Sequence, residues 1–248
     1  MLVISEKEIR HNSPHKNLIR LVWQQWRTER NLAKHGVHFR ATATSQVLSA
    51  YSAMSATEFD DINARQDWAN WRTIPRCLRG NVPKRPLRVL DLGCGTGSST
   101  RVLAYYCPVG SHITGFEIAA PMLDIASERE YRHCDGSMTR VDFVCQGVTE
   151  TLRRSDREPV PRASVDLVNA SGVVGHHLKP DTFPLLLAEL QRVLKPAGIA
   201  MLDVGPSLRA GELRSLMEPA GFTCLGHFRS WFADPTGEMV FRRAERPG

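Results

Sequence analysis

The sequence predicts an α/β protein, a doubly wound seven-stranded sheet with helices on both faces, preceded by a helical lid. Two observations lead to this fold class. After Pro86, short β-rich runs alternate with helical stretches, which is the pattern of parallel strands joined by crossover helices. Before Pro86, apolar residues recur at helical spacing instead. We therefore expect residues 1–86 to form the helical lid and residues 87–248 to form the sheet domain.

The first helix of the lid is marked at both ends. Ser13 suits the N-cap position, Pro14 the first helical position and Gly36 the C-terminal stop. Between these ends the residues at helical spacing form one apolar stripe: Leu18, Ile19, Val22, Trp23 and Trp26.

A second helix is predicted from Thr57 toward Trp71, and Pro75 is expected to limit this helix or its neighbour. Residues 83–86 are typical of a linker. Seven strands are then predicted, at Arg88–Leu92, His112–Glu117, Val141–Gln146, Val165–Asn169, Ile199–Val204, Thr223–Phe228 and Glu238–Arg242. Helical segments are predicted between and after them, at Ser98–Tyr106, Pro121–His133, Asp181–Leu194 and Leu208–Ala220, with a short turn at Thr149–Arg154.

Positive charge is concentrated in the predicted lid. The chain has 32 Lys and Arg against 26 Asp and Glu, a net charge of +6. Residues 1–86 hold 14 Lys and Arg against 7 acids, and the rest of the chain holds 18 against 19. The lid is therefore +7 and the sheet domain −1. This distribution favours an acidic ligand at the lid and leaves a nucleic-acid partner as the less favoured alternative.

Several protein classes are excluded by composition and spacing. No stretch approaches the length of about 20 apolar residues that a membrane span needs. Charge appears as early as Glu6, too early for the apolar segment of a signal peptide. The six cysteines lack both the spacing of a zinc site and the density of a disulfide scaffold. We expect a cytoplasmic protein with reduced thiols, no bound metal and no membrane partner.

The strongest chemical signal is a glycine-rich turn between the first predicted strand and the next helix. Asp91 ends the strand, and Gly93, Gly95 and Gly97 follow at alternate positions. Glycine allows close approach of the backbone to a ligand, and the helix start offers unpaired N–H groups. A dinucleotide-binding turn would place its third glycine where Ser98 stands. An acid this close to the turn suits a ligand with a positive group.

This turn resembles the first motif of the class I S-adenosylmethionine-dependent methyltransferases, whose sheet is Rossmann-like. The resemblance continues along about two-thirds of the chain. It implies that S-adenosylmethionine is the cofactor and S-adenosylhomocysteine the product. It also implies that the turn contacts the methionine part and ribose of the cofactor through Asp91, Gly93, Cys94, Gly95 and Thr96.

The second motif matches the family, and the third departs from it. Glu117 ends the second predicted strand, where an acid accepts hydrogen bonds from the two ribose hydroxyls. Ile118 and Met122 match the apolar positions beside the adenine. In the third motif, Gly147 fits, but Val148 stands where the family often has an Asp that holds the adenine amine. Backbone groups or Thr149 would have to replace that contact.

The fourth strand runs into a stretch that resembles the family's "SSGVLHHL". Asn169 ends the strand at the cofactor side, and His176 and His177 follow. In this fold the acceptor is expected here, so one histidine is a candidate general base. The alternative interpretation is a pair of histidines that cap a turn or pack structurally.

Motifs that are missing from the sequence narrow the range of possible methyl acceptors. Asn169 is followed by neither the Pro-Pro-aromatic run of amino-methylating nucleic-acid enzymes nor a Pro-Cys nucleophile. The neighbouring carboxylates of metal-dependent catechol enzymes are also missing between Asp166 and Asp181. A small-molecule acceptor remains, with an RNA- or protein-modifying enzyme and a non-catalytic cofactor-binding subunit as alternatives.

The lid contributes two further predictions. Tyr51 lies in a segment that resembles the one preceding the sheet in many small-molecule methyltransferases, where a tyrosine lies near the cofactor's carboxylate. On the second helix, Arg65, Trp68 and Arg72 share one face. They form either an ordinary surface face or one wall of a pocket for an anionic or planar acceptor.

Overall fold

The computed structural model describes residues 1–14, 17–37, 49–50, 53–230 and 234–245. Within these ranges the N-terminal third is helical. Its helices are α1 (Glu6–Asn12), α2 (Leu18–Lys34), α3 (Ala56–Ile62) and α4 (Ala64–Leu78).

The rest of the chain forms a seven-stranded sheet in the order β3-β2-β1-β4-β5-β7-β6. Its strands are β1 (Arg88–Leu92), β2 (His112–Glu117), β3 (Arg140–Cys145), β4 (Val165–Ala170), β5 (Leu194–Asp203), β6 (Phe222–Ser230) and β7 (Asp234–Arg243). All pairs from β3 to β5 are parallel, and β7 runs antiparallel to both of its neighbours. The strand order therefore reverses direction between β1 and β4, which confirms the predicted doubly wound α/β class.

Helices cover both faces of this sheet. They are α5 (Ser98–Tyr106), α6 (Ala120–Ser127), α7 (Phe183–Val193) and α8 (Ala210–Met217). Alternate residues of each central strand enter two separate apolar clusters, as the pleat of a strand requires. Leu90 and Val168 pack with α7 and α8 on one face, whereas Val89 and Leu167 pack on the other. That second cluster includes Trp71 and its neighbours in the C-terminal half of α4.

The helices of the lid differ from their prediction at several places. Helix α1 was not predicted, although Ser5 and Glu8 form the reciprocal hydrogen bonds of a capping box before it. Helix α2 begins four residues after Pro14, because the side chain of Asn17 caps it by accepting from the amide of Arg20. The predicted second helix is two helices that meet at Asn63.

Pro75 does not limit the helix that contains it. It lies inside α4, which continues to Leu78.

After the glycine turn, the strand predictions agree with the structure to within a few residues at most ends. Helix α6 ends at Ser127 instead of His133, because the chain turns back there and the amide of Thr139 donates to the carbonyl of Tyr131.

The apolar stripe of α2 faces outward. Among its members, Ile19, Val22, Trp23 and Trp26 are exposed, and the opposite side of the helix contacts α3 and α4. No helix in the described part of the chain is long and apolar enough to cross a membrane.

Candidate functional site

A cavity of about 1260 Å³ opens where the parallel strands β1, β2 and β4 end. The glycine turn, the end of β2 and the segments after β3 and β4 line one side, and α2, α3 and α4 line the other. Because the strand order reverses between β1 and β4, this is the crevice in which doubly wound sheets bind their ligands.

The glycine turn lines the cavity with backbone. The amides of Gly93 and Cys94 donate to the carbonyl of Phe116, at 2.7 and 3.0 Å, and this fixes the turn against the end of β2. Gly97 has φ +87°, and a Cβ there would lie 2.1 Å from the hydroxyl of Tyr131. A Cβ at Gly93 would lie 2.1 Å from a methyl group of Val173. Only glycine fits both positions without displacement.

Asp91, just before the turn, is held by hydrogen bonds from the next helix and from β4. The hydroxyls of Ser99 and Thr100 donate to one of its oxygens, and the amide group of Asn169 donates to the other at 2.8 Å. Burial raises the pKa of this carboxyl, and these hydrogen bonds oppose the increase. Neither Asp91 nor Asn169 lines the cavity. Their polar atoms bind one another, α5 and Ser171, and the expected direct contact of these two residues with the cofactor stays a prediction.

Glu117 lies at the cavity with a fixed orientation. One carboxylate oxygen accepts from the amides of Ile118 and Ala119, at 2.8 and 2.9 Å, and the other accepts from the amide of Gly95 at 3.1 Å. Burial raises the pKa of this carboxyl, and the three backbone donors oppose the increase. The arrangement ties the end of β2 to the glycine turn and leaves an acid at the cavity wall.

The segment after β3 lines the cavity beside Ile118. Gly147 and Val148 of the third motif and the following Thr149 all lie at its wall, and their contact with the adenine stays a prediction. Met122 does not line the cavity. It is fully buried in a small apolar cluster with residues of the lid, because α6 turns its side chain toward α3 rather than toward the cavity.

Two acids of the lid bind the glycine turn and the helix after it, and no sequence pattern singled them out. Asp60 of α3 accepts from the hydroxyl of Thr96 at 2.7 Å and pairs with Arg129 at 2.5 Å. Asp67 of α4 accepts from the hydroxyl of Ser98 and pairs with Arg101 at 3.1 Å. Both acids line the cavity, so they join its two sides.

The ring of Phe59 reinforces this contact between the lid and the turn. A Cβ at Gly95 would lie 3.1 Å from that ring. Phe59 lines the cavity as well, so the lid touches the turn through an aromatic ring in addition to its acids.

The two histidines have different environments. His177 lines the cavity, whereas His176 does not. The Nδ1 atom of His176 lies 2.9 Å from a carboxylate oxygen of Asp203. Asp203 is buried and also accepts from the amides of Val173, Val174 and Gly175. His176 therefore belongs to the hydrogen bonds that hold the turn after β4, and of the pair only His177 reaches the cavity.

The predicted substrate face of α4 points away from the cavity. The guanidinium of Arg72 stacks 3.5 Å from the ring centroid of Trp68 and donates to the hydroxyl of Ser13. The cavity lining does not include Arg65, Trp68 or Arg72. The residues of α4 that do line the cavity lie on a different face of the helix: Ala64, Gln66, Asp67 and Asn70.

Tyr51 lies outside the described residues. Within the described ranges, no group of three or more His, Cys, Asp or Glu side chains is arranged to hold a metal ion.

Residues 89–198 match the family model described as a methyltransferase domain. The malonyl-[acyl-carrier protein] O-methyltransferase of Serratia marcescens is 28% identical over 176 residues, which cover 71% of this chain and 58% of that protein. The ubiquinone biosynthesis O-methyltransferase of Maricaulis maris is 33% identical over 122 residues, 49% of this chain and 42% of that protein. The chain spans about half the length of these curated relatives.

Among solved structures, an S-adenosylmethionine-dependent methyltransferase from Mesorhizobium loti superposes with a TM-score of 0.53 at 15% identity. The match covers 72% of this chain and 100% of the other. At this identity the likeness is one of fold.

Proposed function

The methyltransferase domain of this chain belongs to the class I S-adenosylmethionine-dependent family, and we propose that the chain methylates an oxygen atom of a small acidic molecule. The observation that carries the proposal is the position of Glu117. This acid is fixed by three backbone amides and lies at the same cavity as the glycine turn and His177. One cavity therefore offers a place for a cofactor and a place for an acceptor.

The residues on the sheet side fit the cofactor by their chemistry. Glu117 would accept hydrogen bonds from the ribose hydroxyls, and the backbone of residues 93–96 would lie against the ribose and the methionine part. Ile118 and Val148 would cover the two faces of the adenine. Cofactor bound in this way supplies an electrophilic methyl group on a sulfonium centre.

The lid side and the turn after β4 would hold the acceptor. Arg20 of α2 and Lys179 line the cavity alongside its acids, and these two cations would pair with the carboxylate of an anionic acceptor. Two relatives are named as O-methyltransferases, one of them acting on a malonyl group, and this favours an oxygen acceptor.

The chain's contribution to the reaction is then alignment and exclusion of water. Methyl transfer is an in-line displacement, so holding the acceptor oxygen in line with the methyl group accounts for much of the rate. A carboxylate acceptor is already ionised at neutral pH, whereas a hydroxyl acceptor needs a base. His177 is the residue at the cavity whose imidazole would accept that proton or orient the carboxylate.

Calorimetry with S-adenosylmethionine tests the cofactor half of the proposal. Wild-type protein should bind the cofactor, and Glu117→Gln should weaken binding about 10- to 100-fold, because hydrogen bonds to a charged group are lost. Glu130→Gln is the matched control, since that side chain is 69% exposed and should leave the affinity unchanged. Absence of binding at millimolar cofactor would refute the proposal.

Formation of S-adenosylhomocysteine tests the acceptor half. The compounds to test are dicarboxylic acids, their thioesters, phenols and short RNAs. We expect the highest turnover rate with the dicarboxylic acids. His177→Gln should reduce turnover of an active compound while cofactor affinity is retained. Turnover with RNA alone would show that the acceptor class is wrong, although the cofactor site would stand.

A further inference from the structure

Helix α2 presents an apolar stripe to solvent. Ile19, Val22, Trp23 and Trp26 are 82%, 41%, 57% and 53% exposed, and their spacing places them on one face of the helix. The opposite side explains this orientation. The side chains of Gln24 and Thr28 donate to Asp61 of α3, and Leu32 is buried on the same side, so this side of α2 is the one that packs inward.

Basic side chains accompany the stripe. The guanidinium of Arg27 lies 5.7 Å from the ring centroid of Trp23, and that of Arg30 lies 5.4 Å from the ring centroid of Trp26. Lys34 extends the basic row at the C-terminal end, and Glu29 is the only acid in α2. An amphipathic helix with tryptophans on one face and arginines beside them has the composition of helices that lie in the surface of a membrane.

We propose that α2 docks this face on a lipid surface that carries negative charge. Tryptophan has an apolar body and a polar N–H, which suits the boundary between acyl chains and head groups. Arginine keeps its charged group among phosphates while its stem lies along apolar surface. The stripe lies on one convex helix, and a lipid surface accepts that shape without a matching groove.

Charge argues against two other occupants. A second copy of this chain docked through the same face would bring two basic rows together, which is repulsive. The stretch at 38–48 carries Arg40 and no acid, so it offers no complement to the basic row. The sequence predicts no membrane partner because it has no membrane-spanning segment, but docking on a lipid surface does not require such a segment.

The docked orientation also concerns the cavity. Leu21 and Gln24 of the same helix line it, so α2 forms one wall of the cavity and carries the docking face on its outer side. Docking would hold this wall beside the lipid surface. This inference does not depend on the proposed function.

Co-sedimentation with vesicles tests the proposal. The full chain should bind vesicles of phosphatidylcholine that contain phosphatidylglycerol, should bind pure phosphatidylcholine vesicles far less, and should dissociate as salt is raised. Trp23→Ser combined with Trp26→Ser should weaken binding about tenfold or more, because apolar burial is lost. Arg27→Glu combined with Arg30→Glu should weaken it about thirtyfold or more.

Matched controls separate docking from general effects. Val109→Ser combined with Leu185→Ser changes two apolar side chains that are 53% and 57% exposed, and Arg132→Glu reverses a charge that is 50% exposed. These variants should bind as wild type does. An unfolding midpoint within a few degrees of wild type would show that each α2 variant is folded.

Three results would overturn the proposal. The first is no binding to the anionic vesicles. The second is binding that the tryptophan variant leaves unchanged, which would mean a purely electrostatic contact. The third is concentration-dependent self-association in sedimentation velocity that the tryptophan variant abolishes, which would assign the face to a second copy of the chain.

Discussion

The two sides of the cavity are held in place by different forces. On the sheet side, the glycine turn and Glu117 are fixed by backbone hydrogen bonds above a large apolar cluster. On the lid side, α3 and the start of α4 are fixed mainly by Asp60 and Asp67, with a much smaller apolar cluster around Phe59.

This difference predicts which side moves. Separating the sheet side from its surroundings would expose apolar core, whereas the polar groups of the lid can exchange their partners for water at a smaller net cost. We therefore expect the lid to open for ligands while the glycine turn keeps its shape. Each experiment below changes one side of the cavity or the boundary between them.

The largest effect is expected from Gly97→Ala on the sheet side. The backbone conformation disfavours any side chain there, and the new Cβ would meet the hydroxyl of Tyr131. Together these should lower the free energy of unfolding by about 3 kcal/mol and abolish measurable cofactor binding. Denaturant unfolding and calorimetry measure the two consequences.

Gly211→Ala is the control for this substitution. It lies in α8, where a Cβ would meet nothing within 4 Å, and alanine favours a helix over glycine. Its stability should equal or exceed that of wild type. If Gly97→Ala were equally stable and still bound cofactor, the sheet side would be more adaptable than its geometry indicates.

A smaller effect is expected from Asp67→Asn on the lid side. The change removes the charge that pairs with Arg101 and weakens the contact with Ser98, a loss of about 2 kcal/mol. Hydrogen exchange should become at least about tenfold faster for amides of α3 and the first turns of α4, with the sheet unaffected.

The exposed Asp124 provides the matched control, as Asp124→Asn should leave exchange unchanged throughout. Faster exchange in the sheet as well would mean that the lid and sheet open as one unit. In that case the contrast between the two sides would be wrong.

The same contrast governs what the sequence could predict. The glycine turn and Glu117 were predictable because strand ends and glycine spacing fix a backbone path whatever surrounds it. The lid was less accessible to prediction. Helical spacing identified an apolar stripe on α2 and a face on α4, but periodicity does not say which neighbour a face will meet.

Two lid residues illustrate the limit. Asp60 and Asp67 bind the turn and the next helix, and their hydroxyl partners Thr96 and Ser98 lie 36 and 31 residues away in the chain. No local pattern connects such pairs. Arg72 shows the converse, because helical spacing left its face as either an ordinary surface face or a pocket wall, and the structure places it against Trp68 and Ser13.

The smallest effect is expected at the boundary between lid and sheet. Asp166 of β4 accepts from the guanidinium of Arg85, in the linker, at 2.7 Å and from Lys195 at 2.8 Å. Burial raises the pKa of this carboxyl, but the hydrogen bonds from Arg85, Arg88 and Lys195 outweigh it, so the pKa is lower than usual.

A carboxyl with a lowered pKa stabilises the fold above its unfolded pKa of about 4 and loses that contribution as pH falls through the folded value. Asp166→Asn should therefore cost about 1 kcal/mol at pH 7 and flatten the loss of stability below pH 4, as measured by urea unfolding across pH. Asp156→Asn, at a carboxyl that is 55% exposed, should keep the wild-type pH profile. An unchanged profile in Asp166→Asn would mean that the hydrogen bonds of this carboxylate, including the one from Arg85 of the linker, do not contribute to stability.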